Sequence, residues 1–212
     1  MTVKPNAAEP HSSPAAGAVV LWCVMAGAVV SGALLLEPPD KSGLGFLSPA
    51  GALRLLADLA IFHVLFLVPI FAWRRENPLR ASVEAAGVVV FTAAAGLVMI
   101  DRLTGLGAGP LAMLIGFIVL AGAGATIWAE ALRDRPAVYY GFAGVFALGV
   151  PLVAFFAGEL FRIKAAWPAW LSPFTAWRAV LDRGDGVPWL VFGADLAVGV
   201  VWLLVARRRA KP

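Results

Sequence analysis

Four polar side chains interrupt otherwise apolar stretches of the sequence: Arg54, Asp58, His63 and Asp195. A carboxylate in hydrocarbon costs about 2.5–3.5 kcal/mol on insertion scales, so Asp195 needs a partner, a proton or a wet cavity. By helix rise His63 and Asp195 lie roughly 16 and 12 Å from the same side of their spans. An imidazole and a carboxylate at those depths can bridge facing helices, as polar packing or as part of a polar route for substrate or protons. Arg54 and Asp58 are spaced to share one helix face and pair locally. Other chemistry is poorly supplied. His11, His63 and the lone Cys23 cannot make a Cys/His metal cluster, and the absence of any Gly-Lys dipeptide excludes a P-loop. The intramembrane groups show no catalytic spacing. No catalytic residue, metal or cofactor is expected.

The elements that must position these groups follow from composition. Of 212 residues, 61% are hydrophobic and 14% charged, against about 45–50% and about 25% in soluble domains. The mean hydropathy is +0.85. These figures exclude a soluble enzyme, a disordered chain and a nucleic-acid-binding domain. The expected fold is all-α, a polytopic transmembrane bundle of six spans at about 17–36, 52–73, 84–100, 110–129, 137–158 and 187–206, each long enough to cross a bilayer. Residues 1–16 read as a disordered tail and 207–212 as a basic tail. The first span is also readable as a signal peptide cleaved near Ser31-Gly32-Ala33. Pro69 and Pro151 can kink the second and fifth spans. Small residues four apart, such as Gly27/Ser31, Ala28/Gly32, Ala112/Gly116 and Gly193/Ala197, permit close helix contact.

The cations set an orientation. With the N-terminus inside, the inner segments hold ten of the 17 Lys and Arg residues and the outer ones six, which puts both termini in the cytoplasm of an inner-membrane protein. The longest connection, 159–186, then lies outside. Ser172-Pro173 reads as a helix start and Gly184 as its end. Trp170, Phe174, Trp177 and Leu181 recur on one face, which predicts a short interfacial helix with its rings at headgroup level. Inside, two charged loops carry Arg74, Arg75, Glu76 and Arg80, and Glu130, Arg133 and Arg135. They read as topological stops or as docking sites for a cytoplasmic subunit.

From about Gly124 onward the order of features resembles the membrane subunits of ATP-binding-cassette exporters of the type-2 permease class. The elements that match are Ala129-Glu130-Ala131-Leu132-Arg133, Leu148-Gly149-Val150-Pro151-Leu152, Leu171-Ser172-Pro173-Phe174 and the closing Ala206-Arg207-Arg208-Arg209. The resemblance implies six spans, cytoplasmic termini, short outer helices before the last span, a homo- or heterodimer of membrane subunits and a separate ATPase. The expected function is therefore a permease subunit embedded in the lipid bilayer, with no ATPase site of its own and no nucleic-acid partner. The alternative is a non-transporting scaffold or assembly subunit of a larger membrane complex.

Overall fold

The computed structural model describes residues 14–35, 49–73, 77–162, 170–184 and 186–209. Among them the chain is all-helical. α1 is Pro14–Leu35. α2, Pro49–Phe62, passes through a π-helical turn, His63–Leu67, into α3, Val68–Ala72. α4 is Pro78–Thr104 and α5 is Ala108–Ala131. α6, Pro136–Gly144, runs through a second π turn, Val145–Gly149, into α7, Val150–Phe161. The short α8, Pro173–Arg183, precedes α9, Val187–Arg209. Among the described residues, five rods are long and apolar enough to cross a membrane: Ala50–Ala72, Pro78–Thr104, Ala108–Ala131, Pro136–Leu160 and Val187–Val205. α1 contributes a shorter apolar stretch, Val19–Gly32.

Local sequence sets the helix ends. The Asn77 side chain accepts the Arg80 amide N–H and Pro78 occupies the first turn, so α4 starts before the charged loop has ended. Arg80 is thereby a helical residue, paired with Glu84 at 2.7 Å on an exposed face. Gly105, at φ 64°, supplies the left-handed residue that closes α4. Gly184, also at φ 64°, does the same for α8.

α1, the α2–α3 rod, α4 and α5 pack on one another. Their shared core is built from Trp22, Leu56, Ile61, Leu97, Ile100 and Phe117, all essentially inaccessible. Burial of apolar area gives little drive between helices in lipid, so close fit has to hold them. Gly96 shows why: a Cβ there would fall 2.9 Å from Leu56 Cδ2 and 3.1 Å from Val30 Cγ2, at the point where α1, α2 and α4 converge. The Trp22 indole N–H donates to Thr92 Oγ1, whose hydroxyl donates to the Val88 carbonyl at 2.7 Å, so α1 is pinned to α4 by a satisfied polar pair. Of the small-residue pairs expected to make contacts, Gly116 does, against Trp189, while nothing faces Gly27, Gly32 or Gly193 within 4 Å.

α9 packs along α5 in parallel. Gly116 meets Trp189, Gly124 meets Asp195 and Trp128 meets Gly199, each step ascending on both helices. The α6–α7 rod stands apart. Only 6% of its apolar window is buried, against 50% for Ala108–Ala131, and Val145, Leu148, Leu152, Val153, Phe155 and Phe156 are exposed along it.

Gly96→Val should lower thermal stability in detergent or nanodiscs by about 1–3 kcal/mol, because the added atoms meet a filled three-helix contact. Gly27→Ala should leave it within about 0.5 kcal/mol. Equal melting temperatures for the two variants would refute this account of the packing.

Candidate functional site

For description, the upper end of the bundle is where α4 turns into α5 at Gly105–Gly107, and the lower end is where α5 turns into α6 at Leu132–Arg135. The polar chemistry between these ends falls into three linked parts.

The first is a clamp on α8. Asp58 of α2 accepts the Trp177 indole N–H at 2.9 Å and pairs with the Arg178 guanidinium, which itself lies 5.3 Å from the Trp177 ring centroid. The pairing with Arg54 expected from helix spacing is not the one formed: Arg54 is exposed, and the carboxylate goes to α8 instead. Arg178 outcompetes the local partner because Trp177 enters the bundle beside it and brings the guanidinium along.

The same clamp changes the reading of the aromatic stripe. Trp177, Ala176 and Val180 are buried in the common core, and Phe174 and Leu181 pack against it. Trp170 is half-buried. The face expected at headgroup level is turned into the protein, because an indole N–H with a carboxylate acceptor is better satisfied there. Ser172 is the N-cap residue as expected, but its hydroxyl makes no cap bond. It donates to the Ala147 carbonyl at 2.9 Å, near the middle of the α6–α7 rod. α8 therefore begins roughly half-way down its neighbour and runs from there toward the upper end, where α9 starts.

The second part is a pair of matched helix breaks. Each π turn ends just before a Val-Pro dipeptide: His63–Leu67 before Val68-Pro69, and Val145–Gly149 before Val150-Pro151. In both, the valine amide reaches back five residues, to His63 and to Val145. Proline has no N–H to offer the carbonyl four residues earlier, which is Leu65 in one case and Ala147 in the other. Hydroxyls supply the missing donors. Tyr139 donates to the Leu65 carbonyl at 2.8 Å, Tyr140 donates to the adjacent Phe66 carbonyl at 3.1 Å, and Ser172 serves Ala147. An unpaired carbonyl in lipid is costly, and side-chain hydroxyls are one of the ways a spanning helix tolerates proline.

Trp73 joins this network to the lower end. Its indole N–H donates to the Ala129 carbonyl at 3.0 Å, and its ring meets the Tyr139 and Tyr140 rings edge-on at 5.5 and 5.4 Å. The two charged loops singled out in the sequence are thus neighbours. Glu130 ends α5, and Arg133 and Arg135 are exposed on the turn that follows. Arg74, Arg75 and Glu76 lie outside the described residues.

The third part is a partly open cleft of about 630 Å³ between α5, the α6–α7 rod and α9, with exposed Phe142, Phe146 and Trp202 among its lining. Asp195 lines it and accepts the Trp128 indole N–H at 3.1 Å. His63 is elsewhere: it starts the first π turn, is fully buried, and meets the Trp22 ring edge-on at 5.4 Å. The sequence places the two residues at comparable depths, and the structure gives them separate surroundings. Among the described residues there is no group of three or more His, Cys, Asp or Glu side chains that could hold a metal ion.

No protein-family model, curated protein or solved structure matches the chain. The residues that sequence reasoning missed are Trp73, Trp128, Tyr139, Tyr140 and Ser172 in its bonding role. One signal was available: two Val-Pro dipeptides in apolar runs require two extra donors, and Tyr139-Tyr140 is the only pair of tyrosines in the chain.

Tyr139→Phe should destabilise the protein by about 1–3 kcal/mol, the cost of leaving a buried carbonyl unsatisfied. In a Pro69→Ala background residue 69 regains its N–H, so the same change should cost about 1 kcal/mol less. Additive effects in that double-mutant cycle would sever the link between the tyrosine and the proline. Separately, Asp58→Ala should speed amide exchange in 173–183 by about fivefold, for a partly exposed ion pair and one hydrogen bond worth about 1 kcal/mol together. Unchanged exchange there would show that α8 holds without the clamp.

Proposed function

We propose that this chain is the membrane-spanning permease subunit of an ATP-driven transporter of the ATP-binding-cassette type, with the upper end outside and the lower end cytoplasmic. In this reading six spans cross an inner membrane, with α1 as the first. Both termini are cytoplasmic, and α8 is a re-entrant helix of the outer side. The observation that carries the proposal is the double attachment of α8, to Asp58 on α2 and through Ser172 to the second helix break. A helix that dips into the bundle from one side, with a cleft open below it, suits a pathway closed outside and accessible from within.

The matched breaks supply a mechanism. Spans two and five run in opposite directions and occupy the same position in the two halves of the chain, and both are interrupted at π–Val-Pro. In secondary transporters, interrupted helices in corresponding positions of the two halves mark the substrate site, and we take these breaks as hinges by analogy. An ATPase docked on Arg80, Glu130, Arg133 and Arg135 would act on the turn that Trp73 joins to Tyr139 and Tyr140. Those hydroxyls bond the first break directly. A displacement at the lower end therefore reaches the α2–α3 hinge without an intermediate element, and the α6–α7 rod carries it to Ser172 and α8. The exposed face of that rod is where a second membrane subunit would complete the assembly.

Affinity purification of the tagged full chain from its own cells tests the reading. An ATPase containing GxxxxGK should copurify and be lost when Arg133 and Arg135 are both changed to Glu, with the permease still inserted and folded. Recovery of a larger membrane complex without any ATPase would replace the permease by a scaffold.

A further inference from the structure

The Asp195 cleft carries a feature that the transport cycle just described does not use. Its walls are almost wholly apolar, formed in part by Leu120, Ala121, Phe142, Phe146, Phe192 and Trp202. Into this space projects one carboxylate. Its only described partner is the Trp128 indole N–H, a neutral donor. The one cation lining the cleft is Arg135, at the lower mouth beyond the end of α5, and it forms no ion pair with Asp195. Gly124 stands opposite the carboxylate, and even a Cβ there would be 3.8 Å from Oδ2, so the wall beside it is kept low.

Occupants can be sorted by charge. A lipid acyl chain or a neutral hydrophobic molecule would fill the volume but leave an ionised Asp195 without a counter-charge beside apolar walls, which is unfavourable. An anion would add repulsion. A hydrophobic cation satisfies both demands: its apolar bulk replaces lipid against the walls, and its charge meets Asp195. Phe142, Phe146, Trp128 and Trp202 line the same cleft, and aromatic side chains suit contact with a cation. The volume of about 630 Å³ falls in the range of sites for drug-sized molecules, about 300–1,000 Å³.

We infer that the cleft between α5, the α6–α7 rod and α9 is a binding site for a lipophilic monocation, with Asp195 as its counter-ion. The cation enters from the bilayer through the open side of the cleft, between two rods that barely touch. Arg135 at the lower mouth turns the charged end away from the cytoplasmic opening and toward Asp195. The inference depends on the permease reading only for what happens to the ligand afterwards, because binding itself requires no ATPase.

The experiment measures equilibrium binding of tetraphenylphosphonium, and of the similarly shaped anion tetraphenylborate, to the purified full chain in nanodiscs, with empty nanodiscs subtracted. The wild-type chain should bind the cation at least tenfold more tightly than the anion. Asp195→Asn should weaken cation binding at least tenfold and, by removing the repulsion, strengthen anion binding or leave it no weaker. Ala143→Trp, which fills the cleft from the α6 wall with Asp195 intact, should weaken cation binding as well. Equal affinity of the wild type for the two ions, wild-type cation affinity in Asp195→Asn, or unchanged cation binding in Ala143→Trp would each overturn the inference. Should Asp195→Asn fail to fold, the wild-type ion preference and Ala143→Trp still decide. Loss of the cation preference with an ATPase copurifying would remove this ligand and keep the permease; cation binding without any ATPase would do the reverse.

Discussion

A backbone carbonyl surrounded by hydrocarbon must find a donor, and two prolines in this chain each take one away. The bundle is arranged around supplying the replacements. Leu65 and Phe66 draw Tyr139 and Tyr140 to the middle of the α2–α3 rod, which fixes where α6 can run. Ala147 draws Ser172, which fixes the depth at which α8 begins. The π turns widen the helix at both points and present the carbonyls to an outside donor. Neither rod would need a hydroxyl if its proline were absent, so the breaks and their partners form one device. The rest of the polar chemistry is placed by it: α8 at that depth brings Trp177 and Arg178 to Asp58, and α6 in that position forms the far wall of the cleft around Asp195.

Two kinds of contact divide the labour. α1, α2–α3, α4 and α5 are held by interlocking side chains, with Gly96 leaving room for Leu56 and Val30. Such contacts are close to all-or-none, since a filled interior yields little before it separates. The α6–α7 rod is attached chiefly through hydroxyls and the Trp73 ring cluster, with little side-chain burial. Hydrogen bonds to carbonyls along a rod can be exchanged one at a time between neighbouring acceptors. That gives the molecule a stiff part and a part that can shift against it.

Much of the helical framework was legible in the sequence, because apolar runs and caps are local properties. Gly184 closes α8 where expected and Ser172-Pro173 opens it, whereas α4 runs past the expected stop at Asp101-Arg102 to Thr104. What escaped depends on register between helices far apart in the chain. Arg54 is the obvious partner for Asp58 by spacing, and no local rule brings Arg178 to it from 120 residues away. Periodicity correctly puts Phe174, Trp177 and Leu181 on one face of α8, yet an apolar face fits lipid headgroups and a protein interior alike. The acceptor of the Trp177 indole N–H, the Asp58 carboxylate, decided between them. Likewise the prolines were visible, while their hydroxyl partners lie on other helices.

The order in which these partners appear in the chain has a consequence for biosynthesis. Most of the interlocked side chains belong to α1 to α5 and have been made by Ala131, while Ala176, Trp177 and Val180 of α8 complete that core later. The α2–α3 break is different: it waits for Tyr139 and Tyr140, which emerge at the start of the next rod. The α6–α7 rod then leaves the ribosome with its own carbonyl at Ala147 still lacking a donor, and it stays so until Ser172 is synthesised. Each interrupted helix is thus completed by a segment translated after it, and the chain is not fully satisfied in the bilayer until α8 has turned back into it.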